Sequence, residues 1–404
     1  MLWLYNIGIQ LYGLIIYLLS PFSTKAALFI NGRKNIFKKI ALTADPSQKH
    51  IWFHFASLGE FEQGRTVLEK IKELYPQKRI VITFFSPSGY EIRKNYPLAE
   101  GVFYLPLDTP ENAKKLIAAL NPEIAIFTKY EYWYHYFKAL KKNGTPLFII
   151  SGIFRTGQVY FKWYGSFNRK ILSFVDHFFL QNEESRALLS SIQLKNTSLS
   201  GDTRFDRVAE NAASPKTFDL VEKFCGTAPV LVAGSTWAAD EKILSVLISA
   251  YPGWKFIIAP HEIDTGHISA LQKLLPEGIK YSGLSETTQK SQVLIIDNIG
   301  LLSSLYRYGN IAYIGGGFGA GIHNTLEAAA FGIPVICGPK YEKFQEAKDL
   351  ISLNAAISIR NEGELLDAFK TLVTNKRSGD AAKNYVISKT GSTDQIINYI
   401  QPYF

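Results

Sequence analysis

The chain has 404 residues, 47% hydrophobic and 20% charged, which excludes a disordered protein and exceeds what one compact domain usually holds. Its two cysteines, Cys225 and Cys337, lie far apart, which excludes a disulfide-stapled scaffold and a cysteine zinc site and fits a reducing compartment. A formal charge of +9 favours an anionic partner; with no nucleic-acid motif and an apolar start, that partner is expected to be an anionic membrane surface and not nucleic acid.

Residues Met1 to Phe22 contain no charged side chain. As a helix, at ~1.5 Å per residue, they would extend roughly 33 Å, about the thickness of a bilayer core. Trp3, Tyr5, Tyr12 and Tyr17 are the amphipathic aromatics expected near headgroups, and Lys25, Arg33, Lys34, Lys38 and Lys39 follow on what is expected to be the cytoplasmic side. Two readings stand: a membrane segment that spans or lies in the interface, or an apolar helix docked on the protein. Residues 1–40 are therefore set apart as a membrane-associated segment.

From His50 the chain alternates short Val/Ile/Phe-rich runs with amphipathic stretches. Strands are predicted at 51–55, 79–84, 102–105, 124–127, 147–150 and 177–180, with helical stretches at 62–74 and 111–120 among them. The rhythm pauses in the polar stretch 207–215, then resumes with strands at 230–233, 256–259, 293–296, 311–314 and 334–337. Such alternation predicts an α/β protein of two Rossmann-like domains, 41–206 and 207–390, each a parallel sheet wrapped by helices. Residues 391–404 form a last helical stretch that could return to the first domain. Ligands in these folds bind beyond the carboxyl ends of the strands, so the loops there are where chemistry is sought.

The first such loop, Phe55-Ala56-Ser57-Leu58-Gly59-Glu60, runs from a strand into a helix. Glu60 suits a general base facing a cleft, and equally the ordinary preference of acids for a helix's first turn. The loop Thr128-Lys129-Tyr130-Glu131-Tyr132-Trp133 puts a second acid, Glu131, among aromatics, which suits a carbohydrate site or simple packing. In the second half, Gly315-Gly316-Gly317-Phe318-Gly319-Ala320-Gly321-Ile322-His323-Asn324-Thr325-Leu326-Glu327 joins a strand to an Ala-rich helix. Its glycines and helix start form a phosphate cradle, and Glu327 is placed to accept from ribose hydroxyls; it is neither a dinucleotide fingerprint nor a Walker loop. Gly234-Ser235-Thr236 and Asp297-Asn298-Ile299-Gly300 follow two other strands and could converge on the same crevice or serve as caps. The seven histidines form no HExxH and no cluster with carboxylates, so neither a metal nor a cofactor is expected.

Four segments, 54–60, Gly201-Asp202-Thr203-Arg204-Phe205-Asp206, Gly234-Ser235-Thr236 and His323-Asn324-Thr325-Leu326-Glu327, occur together in an order that resembles the Kdo transferase family of lipid A and lipopolysaccharide assembly. The resemblance implies a GT-B fold, two Rossmann-like domains facing across a cleft, at the cytoplasmic face of a bacterial inner membrane. It implies transfer of 3-deoxy-D-manno-octulosonate (Kdo) from CMP-Kdo to a phosphorylated lipid A precursor, lipid IVA. By the same analogy the transfer is inverting and metal-independent, with Glu60 as the base that deprotonates the acceptor hydroxyl and Glu131 as the second acid. Gly234, Ser235, Thr236, Pro260, His261, Ile299, Gly300, Gly317, Asn324 and Glu327 are the implied donor contacts.

The chain departs from the family's pattern at three places. Ala259-Pro260-His261-Glu262 lacks the arginine that many relatives carry between proline and histidine, leaving His261, Lys340 or Arg155 as the phosphate's positive partner. Gly300-Leu301-Leu302 replaces Gly-Glu-Leu, and Lys129-Tyr130 replaces the residues usual before the second acid. Two other functions compete: another GT-B enzyme, a UDP-sugar transferase or epimerase, or a membrane-associated sugar-nucleotide-binding protein without catalysis.

Overall fold

The computed structural model describes residues 1–285 and 291–404. It resolves into two units, Met1–Asp206 with Thr390–Phe404, and Arg207–Lys389.

The first unit is built on seven parallel strands: β1 (His50–Phe55), β2 (Arg79–Phe84), β3 (Gly101–Tyr104), β4 (Pro122–Thr128), β5 (Leu147–Gly152), β6 (His177–Leu180) and β7 (Thr197–Leu199), in the order β3-β2-β1-β4-β5-β6-β7. β1 is buried along its whole length because helices cover both faces of the sheet. One face packs Trp52, Phe127, Phe137 and Ile149; the other packs Ile51, Phe53, Phe55, Phe61 and Ile126. The helix Ser392–Ile400 contributes Ile396, Ile397 and Ile400 to that second face, which is how the chain's last residues come to belong to this unit.

The second unit repeats the plan with β8 (Val230–Thr236), β9 (Lys255–Pro260), β10 (Ile279–Lys280), β11 (Val293–Ile295), β12 (Ile311–Ile314), β13 (Val335–Cys337) and β14 (Ala356–Ser358), all parallel, in the order β10-β11-β9-β8-β12-β13-β14. The two parallel, helix-covered sheets are the expected α/β class. Three strands escape the sequence reading: β7, β10 and β14. Each has two or three residues and lies at a sheet edge, so none needs an apolar run of its own.

Before the first sheet come α1 (Leu2–Leu19), α2 (Thr24–Arg33) and α3 (Ile36–Ala41). Along α1, Leu2, Tyr5, Asn6, Ile9, Gly13 and Ile16 are partly buried, a stripe at helical spacing that rests on the first unit. Tyr5 donates its hydroxyl to Asp108 at 2.5 Å, His135 Nε2 meets Asn6 Oδ1 at 2.7 Å, and Tyr12 stacks on Phe85. The remaining face is apolar yet exposed, including Trp3, Leu4, Ile7, Leu11, Leu14, Ile15, Tyr17 and Leu18.

One of the expected cytoplasmic cations sits elsewhere. Arg33 turns inward, donating to the carbonyls of Phe29, Leu105 and Phe85 at 2.7–3.0 Å, with the Phe29 and Tyr104 rings against its guanidinium. Burial pulls its pKa down to about 10, so it stays charged and fastens α2 to the ends of β2 and β3. Lys25, Lys34, Lys38 and Lys39 remain exposed.

Candidate active site

In each sheet the strand order reverses direction once: between β1 and β4 in the first unit, and between β8 and β12 in the second. A doubly wound sheet opens a crevice at that point, because the helices following the two strands depart to opposite faces. The loops after β1 and β4 carry Glu60 and Glu131. Those after β8 and β12 carry Gly234–Trp237 and the glycine-rich segment. Four of the sequence's candidate loops thus belong to two switch points.

Glu60 lies in the first turn of the helix Leu58–Leu74. Its Oε2 accepts from the backbone N–H of Ala56 at 2.6 Å, which folds the carboxylate back over the loop ahead of the helix. Its Oε1 has no hydrogen-bond partner among the described residues. Burial pushes the carboxyl up to about 7; the Ala56 N–H and the Lys129 ammonium draw it down, while the Glu131 charge pushes it further up. A carboxyl so poised is half ionised at neutral pH, the condition under which a general base works best.

Glu131 is held from two sides. The Trp133 indole N–H donates to its Oε2 at 2.9 Å, and His54 Nε2 approaches the same oxygen at 3.4 Å. His54 is fully buried on β1, and burial lowers its pKa, so the ring is neutral. Its Nδ1 lies 2.8 Å from Thr83 Oγ1, which also receives the Trp52 indole N–H at 2.8 Å. The Thr83 hydroxyl also donates to the Phe53 carbonyl at 3.4 Å, so this one side chain ties His54, Trp52 and the β1 backbone together. This relay across β1 and β2 was not anticipated; the alternation of His54 with apolar neighbours marks a strand but says nothing of its ring partners. Lys129, just before the acid, adopts a left-handed φ of 58°, a backbone turn rare outside glycine and found where a loop must aim a side chain.

The segment 201–206 does structural work. Asp202 accepts from Gln63 and Arg204, the Thr203 hydroxyl donates to the Gln63 carbonyl, and Asp206 accepts from the Gly391 and Thr393 N–H groups at 2.6 and 2.7 Å. These bonds clamp the Glu60-bearing helix and the returning C-terminal helix to the end of the sheet.

In the second unit, Asp240 organises the loops after β8 and β12. It is fully buried and accepts from the N–H groups of Trp237 and Gly316 at 2.9 Å each and from the Tyr313 hydroxyl at 2.8 Å. It thereby fixes the turn after β8 against the turn after β12. Gly317 is packed backbone to backbone on Gly338, so an added Cβ would sit 2.6 Å from the Gly338 Cα. Asn324 accepts from the Leu326 N–H at 3.0 Å and donates to Glu327 Oε1 at 3.1 Å, pre-orienting the ribose acid expected there.

Ser235 has a left-handed φ of 53°, and Thr236 donates to Glu241 at 2.9 Å. Pro260 ends β9 beside Thr236, and the His261 N–H donates to the Thr236 carbonyl at 2.9 Å. Ile299 is 86% exposed and Gly300 has φ of 92°; Leu302, next along, packs beside Gly234. Asp297 is occupied by Ser282, whose N–H and hydroxyl it accepts.

Three of these residues form a stack that sequence reasoning missed. The His261 ring stacks on both Trp237 and His323, with centroids 4.8 and 4.3 Å away. The Trp237 indole N–H donates to His323 Nε2 at 3.2 Å, which leaves the proton on Nδ1. Burial, and then His261, hold the His323 pKa down to about 4, so that ring is neutral. Of the cations considered for the missing arginine, Arg155 belongs to the first unit, near Tyr130, while Lys340 donates to the Gly319 carbonyl at 2.7 Å on the glycine loop itself. His261 and Lys340 are thus the two that border the loops after β8 and β12 of the second unit.

The family model described as 3-deoxy-D-manno-octulosonic-acid transferase (kdotransferase) matches residues 33–207. Similar curated proteins include the 3-deoxy-D-manno-octulosonic acid transferases of Chlamydophila psittaci, 29% identical over 75% of this chain and 73% of the relative, and of Aquifex aeolicus, 29% identical over 81% and 87%. That of Haemophilus influenzae is 24% identical over 89% of this chain and 88% of its own length. Among solved structures, UDP-GlcNAc 2-epimerase from Neisseria meningitidis bound to UDP-GlcNAc superposes with a TM-score of 0.62 at 16% identity, covering 87% of this chain and all of that one. A putative UDP-N-acetylglucosamine 2-epimerase from Listeria monocytogenes gives 0.59 at 14% identity, covering 88% and 97%. At such identity these likenesses speak for the fold alone.

Proposed function

We propose that this chain, which is similar to 3-deoxy-D-manno-octulosonic acid transferases over most of its length, is a member of that family and moves Kdo from CMP-Kdo onto a hydroxyl of a phosphorylated lipid A precursor such as lipid IVA, at the cytoplasmic face of the inner membrane. Glu60 takes the proton of the acceptor hydroxyl as that oxygen bonds to the anomeric carbon. The bond from that carbon to the CMP phosphate oxygen breaks, CMP leaves with the electron pair, and configuration inverts. Glu131, fixed by Trp133 and His54, orients the acceptor sugar. Asn324 and Glu327 hold the nucleotide, the Gly315–Gly317 turn lets the phosphate approach backbone, and His261 or Lys340 meets its charge. The exposed apolar face of α1 lies in the bilayer interface while its inner stripe stays on the protein, keeping the lipid acceptor near the first unit.

The observation that supports this reading most is the state of Glu60: partly buried, free at Oε1, and with a pKa raised to about 7. Incubation with CMP-Kdo and tetraacyl lipid A precursor, followed by mass spectrometry of the lipid, tests it. A mass increment of one or more Kdo residues is expected from the natural chain, and E60Q should retain CMP binding without turnover. Product formation by E60Q at the natural rate would remove Glu60 from its role, and tighter competition by UDP than by CMP would favour a UDP-sugar enzyme.

A further inference from the structure

Trp163 is the most exposed of the six tryptophans, at 91%, and its neighbour Tyr164 is 52% exposed. Neither has a part in the chemistry above. A soluble surface seldom leaves an indole so open, since covering it would recover much of its hydrophobic free energy. The segment is not a loose loop. The Arg169 guanidinium donates to the carbonyls of Tyr160 and Lys162 at 2.9 Å each, and the Gly165 N–H donates to the Lys162 carbonyl at 3.0 Å. Gly165 faces the Val159 carbonyl so closely that a Cβ would lie 2.0 Å from its oxygen. Trp163 and Tyr164 are therefore held at the apex of a closed turn.

That turn joins two parts of the first unit. On one side Tyr160 packs on Tyr132, next to Glu131, with ring centroids 5.6 Å apart. On the other, Phe167 packs on Tyr5 of α1 and on Tyr134, at 5.5 and 5.1 Å. The surroundings are basic. Between Ser151 and Asp176 the chain carries Arg155, Lys162, Arg169 and Lys170 and no acidic residue, and Lys138 lies over the Tyr134 ring.

We propose that the turn Val159–Gly165 is a second membrane-seating element, which lodges Trp163 and Tyr164 in the headgroup region of an anionic bilayer beside the exposed face of α1. An indole and a phenol are the side chains that favour this layer, and the lysine fringe meets lipid phosphates. With α1 alone the first unit could roll about one helix axis. A second contact joined to it through Phe167 fixes which way the Glu60 and Glu131 loops face the membrane. The inference rests on the membrane reading of α1 given above.

The test uses full-length protein and sucrose-loaded vesicles of phosphatidylethanolamine and phosphatidylglycerol, with no acceptor lipid, read by sedimentation. The W163S/Y164S variant should partition about tenfold more weakly than the natural chain, while L353S, which removes an exposed leucine of the second unit, should not differ. A second measurement does not depend on the double variant folding: brominated lipids should quench a component of the emission that W163F lacks while W163F still binds. Partition of a folded double variant within twofold of the natural chain, or equal quenching of W163F and the natural chain, would overturn the proposal. Neither readout involves turnover, so failure of Kdo transfer would sink the proposed reaction and leave this result standing, and the reverse also holds.

Discussion

Replacing Glu60 by Gln should stabilise the first unit while abolishing turnover, and the size of the gain should depend on pH. Folding lifts this carboxyl from its ordinary 4.5 to about 7, chiefly by burial, with the Ala56 N–H and Lys129 opposing and Glu131 adding to the rise. A carboxyl whose pKa rises on folding is penalised only when ionised. The cost is absent below 4.5, grows between 4.5 and about 7, and is complete above that. At ~1.36 kcal/mol per pH unit the full rise corresponds to about 3 kcal/mol, reduced to about 1–2 kcal/mol by the water that reaches a partly exposed group. Glutamine keeps the shape and an oxygen for the Ala56 N–H but carries no charge. Thermal unfolding of the two proteins between pH 4 and 8.5 should show E60Q melting about 3–6 °C higher at pH 8, with the difference closing toward pH 4.5. An E60Q protein that melts at or below the natural chain at pH 8, or a gap that ignores pH, would refute the argument that burial sets the state of this acid.

Turnover of the natural chain should rise with pH through a midpoint near 7, since the base acts ionised; removing the neighbouring charge in E131Q should move that midpoint to lower pH, as rates under saturating donor can show. The D240A variant leaves the Trp237 and Gly316 N–H groups and the Tyr313 hydroxyl without their acceptor, and should cost the second unit about 3 kcal/mol or more with loss of CMP binding, measurable by calorimetry and chemical denaturation. Deleting residues 1–22 should lower vesicle partition at least tenfold while CMP affinity changes less than twofold; equal partition of the two forms would detach α1 from membrane binding.

The sequence by itself determined the class of fold and the family resemblance. A strand covered by helices on both faces must be apolar throughout, so β1, β2, β4, β5, β8, β9 and β12 stand out as short Val/Ile/Phe runs, and the loop motifs follow them in the family's order. Glu60, Glu131, Asn324 and Glu327 could be picked out as candidates because their loops come directly after such runs. What surrounds them was decided by tertiary structure. His54 reaches Glu131 across 77 residues, and Trp237 reaches His323 across 86, contacts set by sheet register and strand order that no local pattern encodes. The charge-free start of the chain fits a spanning helix and a docked one equally. Only its partly buried stripe, tied down through Tyr5 and Asn6, distinguishes the face on the protein from the face left open. Arg33 reads as one more cytoplasmic cation until the carbonyls of Phe29, Phe85 and Leu105 converge on it. In each case the deciding quantity is burial and the partner it brings. Secondary structure follows from a residue's neighbours in sequence, whereas a side chain's solvation and charge state depend on segments that only folding brings within reach.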